Sequence, residues 1–476
     1  MKKANLKPRL NVVVIKVIAL TLIPIFSVDV YAQEPLTFEK TIKLAQKFDP
    51  WLTGNRHKQK AIESMSTATS TLPDPKVSVG LVNMPTDSFD FNQEGMTQAK
   101  IGITQMFPRG DTLDIKSEQL LIQSEAYPYQ RQDRSAKVAV SVGSLWLNAY
   151  LIQQSIALIE KDRALFEQLS DVAEASYSAS YGRTRQQDII RAQLELTRLD
   201  ERLDKLRQQK SRYEGMLMQW LSVFSTESED NLSVNDASLH NVPLSNLLPQ
   251  IDLLNHELVY KKSWHNSNDL IPLLSVHPAV IALDKKIKAT KTGIRLAEQK
   301  YKPEWGVNAS YGYRDDDLMG QSRADLFSVG ISFDLPLFTE NRQDKEVQSA
   351  ISETEAVKSE KILLLRELLG SFSSAKGRLL RLQDRKKLYS SQLLPQIHEQ
   401  AEASLTAYTN DDGDFAEVVR SRIAVLNAEI DNLALNVEEQ KITLELNYLF
   451  IGNLNTTEAD MNFEDSKQHN AIYGDK

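Results

Sequence analysis

The chain has no cysteine among its 476 residues. This excludes a disulfide framework, a thiolate metal site and a lipid-modified N-terminal cysteine. Long apolar runs are scarce too. Beyond residue 32, no stretch approaches the roughly 20 apolar residues that a membrane-spanning helix needs. Positive charge is in deficit, with 56 Lys and Arg against 64 Asp and Glu, which argues against nucleic acid as a partner. Catalytic signatures are missing: there is no nucleophile elbow, no HExxH and no glycine-rich phosphate loop. The seven histidines are scattered, and His240, His256 and His265 fall in a linker without ligand spacing. Met216 and Met218 lie two residues apart and so on different sides of a helix, which reads as packing and not copper ligation. No enzyme, cofactor or metal site is expected.

The N-terminus indicates a compartment. Lys2, Lys3, Lys7 and Arg9 precede a short apolar run, Val17 to Val28, and Val30-Tyr31-Ala32 places small residues where a signal peptidase reads. Residues 1–32 are therefore expected to be a cleaved secretory signal. A membrane anchor would need a longer run, and Lys16 adjoins this one. Without the signal, five Lys/Arg and one Asp are lost and the net charge moves from −8 to −12.

Length alone suggests about three ordinary domains, but the chain repeats itself. Pro75 and Pro303 are 228 residues apart, as are Pro108 and Pro336. The same offset relates "IGI" at 101–103 to "VGI" at 329–331, Asp49-Pro50 to His277-Pro278, and Ala175-Ser176 to Ala403-Ser404. The expected units are 33–221 and 276–451, joined by a linker at 222–275 and followed by a polar tail at 452–476.

Each unit reads as helix, strand, strand, long helix, turn, helix. The expected helices at Leu36–Thr71 and Ser275–Tyr301 lead into strands at Val77–Asn83 and Gln98–Phe107, and at Glu304–Tyr313 and Leu326–Leu335. Prolines mark the crossings between helix and strand, because proline has no N–H to give either ladder. From Asp111 to about Ser180 a helix would run roughly 100 Å, with a kink or late start at Pro128. Apolar residues step by three and four from Ile189 to Trp220, broken at Lys210, and from Val419 to Leu444, broken at Gln440. That is coiled-coil spacing.

The stretch "PEWGVNASYGYR" at 303–314 alternates with period two, in a chain of helices. Packing of the four strands on helices in an α+β core is one reading. Their length argues for another, since strands of about 9–11 residues cross a bilayer when tilted. One face would carry Ile101, Ile103, Trp305, Val307, Tyr311, Val329, Ile331 and Phe333 toward lipid. The other would carry Lys100, Gly102, Thr104, Asn308, Ser310, Ser328 and Ser332 toward a wet lumen. Four strands cannot close a barrel, and an open edge is not tolerated in lipid, so copies of the chain must share one.

The tandem unit, the proline-bounded strand pairs, "MTQAKIGITQMFPRGD" at 96–111 and "YGRTRQQDIIRAQLEL" at 181–196 resemble the TolC family of outer membrane efflux proteins, and within it the CzcC/CusC-like heavy-metal branch. The resemblance covers nearly the whole chain after the signal. It implies a mainly α fold with a transmembrane β part, in which a homotrimer builds a 12-strand β-barrel continued by a 12-helix coiled-coil α-barrel in the periplasm. It further implies an outer membrane location and two partners, a periplasmic adaptor and an inner-membrane resistance-nodulation-division pump. With no lipidated cysteine, Gln33 becomes the expected mature terminus.

The resemblance maps adaptor contacts onto two turns, Gly182, Arg183 and Thr184, and Gly413 with Phe415. It maps a periplasmic gate onto Asp411, Asp412, Asp414 and Glu417, with Arg183, Arg185 and Arg420 as candidate ion-pair partners. Singly, each acid reads as an ordinary solvated turn residue. In a trimer the cluster would ring one constriction and favour cations. The expected function is an efflux duct for heavy-metal cations. A drug-efflux or type I secretion duct is the alternative within the class, and a soluble periplasmic coiled-coil adaptor the alternative outside it.

Overall fold

The computed structural model describes residues 35–178, 185–228, 231–235, 243–260, 270–410 and 412–453. The expected signal, most of the polar tail, His240, His265, the turn carrying Gly182, Arg183 and Thr184, and Asp411 lie outside the described residues.

The first half runs α1 (Phe38–Lys47), α2 (Pro50–Thr69), β1 (Lys76–Val82), β2 (Gln98–Phe107), α3 (Thr112–Ser124), α4 (Ala126–Ser178) and α5 (Gln186–Leu221). A connecting segment holds a small hairpin, β3 (Val223–Ser228) and β4 (Asn231–Asn235), and two short helices, α6 (His256–Tyr260) and α7 (Ile271–Ser275). The second half runs α8 (Pro278–Glu298), β5 (Trp305–Tyr313), β6 (Leu326–Phe333), α9 (Gln343–Leu388), α10 (Leu394–Thr409) and α11 (Phe415–Leu449). Helices α5 and α11 end 228 residues apart, at Leu221 and Leu449.

One expectation about helices needs correction, the late start near Pro128 is found, and a further break appears in the second half. Leu36–Thr71 is two helices, not one. Asp49 caps α2 by accepting from the Trp51 N–H at 3.0 Å, and Pro50 fills the first helical position, so the chain restarts there. The run from Asp111 restarts at Ala126, so Pro128 falls in the first turn of α4, where a missing N–H costs nothing. In the second half, α9 and α10 are joined by a π turn, Tyr389–Leu393, just ahead of Pro395. A widened turn relieves the clash between the proline ring and the carbonyl four residues back. The counterpart of Pro395 in the first half is Glu167, and α4 runs through it unbroken for 53 residues.

The apolar stripes bury as coiled-coil seams. Ala192, Leu199 and Leu203 of α5 join Ile159 and Phe166 of α4 and Val419 and Leu426 of α11 in one core. A second core around Trp146 takes Leu217, Val437 and Leu444. A third holds Phe372, Leu446 and Phe450. Gln440, the polar gap in the second stripe, is buried and has a task. Its side-chain oxygen accepts from the Ile251 N–H at 2.8 Å, and Asn447 binds Leu254 and Asp252 two turns further on, so α11 holds the connecting segment by its backbone.

The repeat landmark His277-Pro278 does for α8 what Asp49-Pro50 does for α2. His277 Nδ1 accepts from the Ala279 N–H at 3.2 Å, so Nε2 carries the proton and donates to the Tyr448 carbonyl at 3.2 Å. The ring is fully buried against Tyr448, whose hydroxyl donates to Asp133, itself paired with Lys137. Burial holds the His277 imidazole below its ordinary value; Asp133 and the Tyr448 carbonyl work the other way, and Lys137 adds to the effect of burial. The folded state therefore prefers neutral histidine. Its stabilising contribution is present above the unfolded value of about 6.5 and is lost as pH falls below it toward the lower folded value. Acid melting of the helical part should show a step in that window, and His277→Asn, a neutral cap, should remove it from the pH profile.

Candidate channel wall and tip

The four long strands form one antiparallel sheet in the order β1-β2-β5-β6. Strands β1 and β6 are its edges, and neither has an outer neighbour within the described residues. Because paired residues share a face, the register fixes what each face carries. One face is built from rows: Phe107–Trp305–Phe333, then Gln105–Val307–Ile331, then Val77–Ile103–Ala309–Val329, then Val79–Ile101–Tyr311–Phe327, then Leu81–Ala99–Tyr313. All eight residues expected on the apolar face are here. The other face brings together Lys100, Gly102, Thr104, Asn308, Ser310, Ser328 and Ser332 with Lys76, Ser78 and several glycines.

The apolar face is uncovered. Val79 is 80 % exposed, Ile331 66 % and Val329 63 %, and the flanking Phe327 and Leu81 are exposed as well. Among the described residues no helix lies over it, which speaks against the α+β core reading. The only non-apolar side chain in its rows is Gln105, satisfied by the carbonyls of Pro73 (2.8 Å) and Met106 (3.0 Å). Aromatic rings close the face at both ends: Phe107, Trp305 and Phe333 in the first row, and Tyr311, Phe327 and Tyr313 in the last two. From Trp305 to Tyr311 and Tyr313 is six and eight residues, about 20 and 27 Å along a strand at ~3.4 Å per residue. Aromatic girdles about 25 Å apart around an apolar band are the pattern of lipid-facing barrel walls.

On the polar face, glycines make room for neighbouring side chains. A Cβ on Gly330 would stand 2.5 Å from Asn308 Oδ1, and one on Gly306 would stand 2.6 Å from Ser332 Oγ. These small positions let polar groups lie flat against the wall.

Where the sheet meets the helices, Arg109 locks the two halves. Its guanidinium donates to the carbonyls of Lys300 (3.2 Å) and Lys302 (3.1 Å) and pairs with Asp334, which also accepts from the Glu304 N–H at 2.7 Å. Gly110 beside it has φ +47°, and a Cβ there would collide with Lys302 at 2.3 Å. Both residues lie in the "FPRGD" stretch, where their pairing with the second half is not apparent from sequence alone. The Arg-Gly pair following the boundary proline was the available signal.

At the far end of the helices, α10 and α11 meet in a tight turn. The Asp412 N–H donates to the Ala407 carbonyl at 2.9 Å. A Cβ on Gly413 would stand 2.5 Å from the Tyr408 nitrogen, so only glycine fits. Asp414 caps α11, accepting from the Ala416 N–H at 3.2 Å. Phe415 points inward, 2 % exposed, its ring edge-on to Tyr408 at 5.6 Å. Its side chain belongs to the core beneath the turn and is withdrawn from the contact surface expected of it. Glu417 pairs with Arg420 on the same helix. Among the described residues, Asp412, Asp414 and Arg185 make no ion pair; Arg183 and Asp411 lie outside them. Arg185 instead opens α5, where its N–H donates to Asp188 at 3.0 Å.

No family model and no curated protein matches the chain. Solved structures do. CusC, described in terms of transmembrane channel formation, superposes with a TM-score of 0.66 at 14 % identity, over 88 % of this chain and 93 % of its own. The CmeC outer membrane channel of Campylobacter jejuni gives 0.68 at 12 %, over 87 % and 85 %. The open state of the MtrE outer membrane channel of Neisseria gonorrhoeae gives 0.63 at 14 %, over 87 % and 88 %. The fold is the TolC-like channel fold. Within it, CusC does not stand apart from CmeC, so the channel architecture is shared without the metal branch being singled out. The Arg109 junction sits where the small sheet meets the long helices.

Proposed function

We propose that the chain is one subunit of a homotrimeric outer membrane duct, passive and not an enzyme, that takes cargo from an adaptor and an inner-membrane pump and releases it outside. The observation that carries this reading is the uncovered apolar face, bounded by two aromatic rows at bilayer spacing, on a sheet with two free edges. Three copies would supply twelve strands, and the polar face would line the lumen. A water-soluble adaptor would have to leave this face in water, a patch far larger than soluble monomers show. Mass measurement in detergent should give a trimer, and the protein should fractionate with the outer membrane. A stable folded monomer in the soluble periplasmic fraction would overturn the duct.

Heavy-metal cations are the cargo that the sequence resemblance favours, and organic compounds or secreted proteins the alternative. Loss of the gene should then sensitise cells to a divalent or monovalent soft metal and not to dyes or detergents.

The tip is the proposed periplasmic gate, with Gly413 shaping a turn that an adaptor could grip beside the turn at Gly182, Arg183 and Thr184. Asp411, Asp412, Asp414 and Glu417 from three copies would ring the constriction. Exposed charges there are screened over about 8 Å at physiological salt, so cation preference should fade as salt rises. The triple Asp→Asn variant of the three aspartates should lower cation preference and raise the open fraction in planar-bilayer recordings. Unchanged selectivity and closure would leave them as a solvated turn.

A further inference from the structure

The strands are lopsided in charge. The chain is net acidic, yet β1, β2, β5 and β6 contain no Asp or Glu, and their only charged residues are Lys76 and Lys100. The register puts both on the polar face. Lys76 pairs across with Thr104, in the row of Asn308 and Gly330. Lys100 lies between Gly80 on one side and Gly312 on the other. Neither makes an ion pair among the described residues. Other charges flank the sheet at its ends, among them Asp315 and Asp316 just after β5, which make no ion pair among the described residues. Asp334 is held by Arg109 at the helix end. Arg314 beyond β5 donates to the Ala324 and Gly95 carbonyls, with Asp325 accepting from its N–H.

An ammonium group with no carboxylate partner must keep its water, and its counter-ion then comes from the solution. Thr104 and Lys100 are four residues apart, so the two lysines stand in tiers about 13 Å apart along the strands. The space over Gly80 beside Lys100 is open, while the Gln98 side chain lies over Gly312 on the other side.

We propose that Lys76 and Lys100 make the barrel section of the duct prefer anions, with Lys100 the principal determinant. The proposal rests on the duct reading, and names the ion class that its outer section admits. Three copies would set two rings of three positive charges in a lumen whose wall is otherwise uncharged: hydroxyls, amides, glycine and a few apolar side chains such as Met106 and Leu326. At low ionic strength the field of such rings extends across tens of ångströms, about 30 Å at 0.01 M salt, and it shrinks to about 3 Å at 1 M. The barrel then opposes the acidic tip in sign. Small or anionic complexes cross it more readily than bare cations do, and metal cargo would cross it accompanied by counter-ions.

The absence of cysteine supplies the test. Lys100→Cys is made in the full chain, reconstituted in planar bilayers, and labelled in the recorded pore with a methanethiosulfonate reagent bearing either an ammonium or a sulfonate. Reversal potentials are read across a tenfold KCl gradient at low salt. The ammonium label should restore the wild-type chloride-to-potassium permeability ratio. The sulfonate label should lower it by at least about twofold, and the difference should vanish near 1 M salt. Lys100→Gln should fall between the two labels. Trimers that conduct, are fully labelled by mass, and give the same reversal potential with both reagents would overturn the anion preference while leaving the duct intact. Membrane-inserted protein with no conductance, in the triple Asp→Asn background as well, would overturn the duct itself, and this inference with it.

Discussion

Val329→Arg should abolish accumulation of the protein in the outer membrane, whereas Ser328→Arg, one residue away, should assemble normally and conduct less. Val329 is in the middle row of the apolar face beside Ala309, with Ile103 and Val77 beyond. An arginine near mid-bilayer on that face costs about 2–4 kcal/mol per copy, or about 6–12 for three copies in one barrel. That approaches the whole net stability of an ordinary folded domain, about 5–15 kcal/mol. Ser328 pairs with Ser310 and looks the other way, in a row of Gly102 and Ser78. An arginine there stays in water and narrows the passage. Membrane fractionation and single-channel conductance read the two outcomes. The reverse pattern would mean that lipid and water touch the opposite faces, because a shift of one residue exchanges them completely.

The second large effect is expected far from the sheet. Trp146 of α4 is fully buried, stacked on Tyr150 at 5.5 Å and met edge-on by Phe38 at 5.7 Å. Its indole N–H donates to the Leu36 carbonyl at 3.0 Å, pinning the segment that bridges to Leu244. Trp146→Ala should cost about 3–5 kcal/mol through lost burial and the cavity left behind. Trp146→Phe keeps the ring contacts and gives up the hydrogen bond, about 1 kcal/mol. It is further cushioned because the Leu36 carbonyl also accepts from the Ser245 N–H. The midpoint of heat-induced loss of helical circular dichroism should fall strongly for the alanine variant and slightly for phenylalanine. New protease cleavage near Leu36 should accompany the first. Equal midpoints for both variants would show that Trp146 is not the pin.

Local signals explain why so much of the architecture was legible. The strands end within two residues of where alternation and proline place them, because both are properties of a few adjacent residues. The seams of α5 and α11 follow from spacing in the same way. What escaped depends on partners distant in sequence or on competing local chemistry. Asp49-Pro50 was read through as helix although it is a cap followed by a helix-starting proline. Arg109 and Asp334 meet across 225 residues, and nothing adjacent to either announces the other. Phe415 looked like a tip contact because it follows a glycine turn, but an aromatic at the first position of α11 had a core beneath it to fill. Lys100 was read as one more lumen residue. Its isolation showed only once the register had surrounded it with glycine and left it without an acid.

The two free edges of the β1-β2-β5-β6 sheet have a genetic consequence. In the proposed trimer, a chain that cannot finish its own wall is judged in company, since each barrel would draw its copies from one common pool. A variant that pairs normally along its edges but carries a faulty interior or tip would enter barrels alongside sound copies. With equal supplies of the two, only about one trimer in eight would be free of it. Lesions in the lumen or tip should therefore be dominant over a wild-type copy. Lesions that destroy the edges or the apolar face should be recessive, because such chains never join.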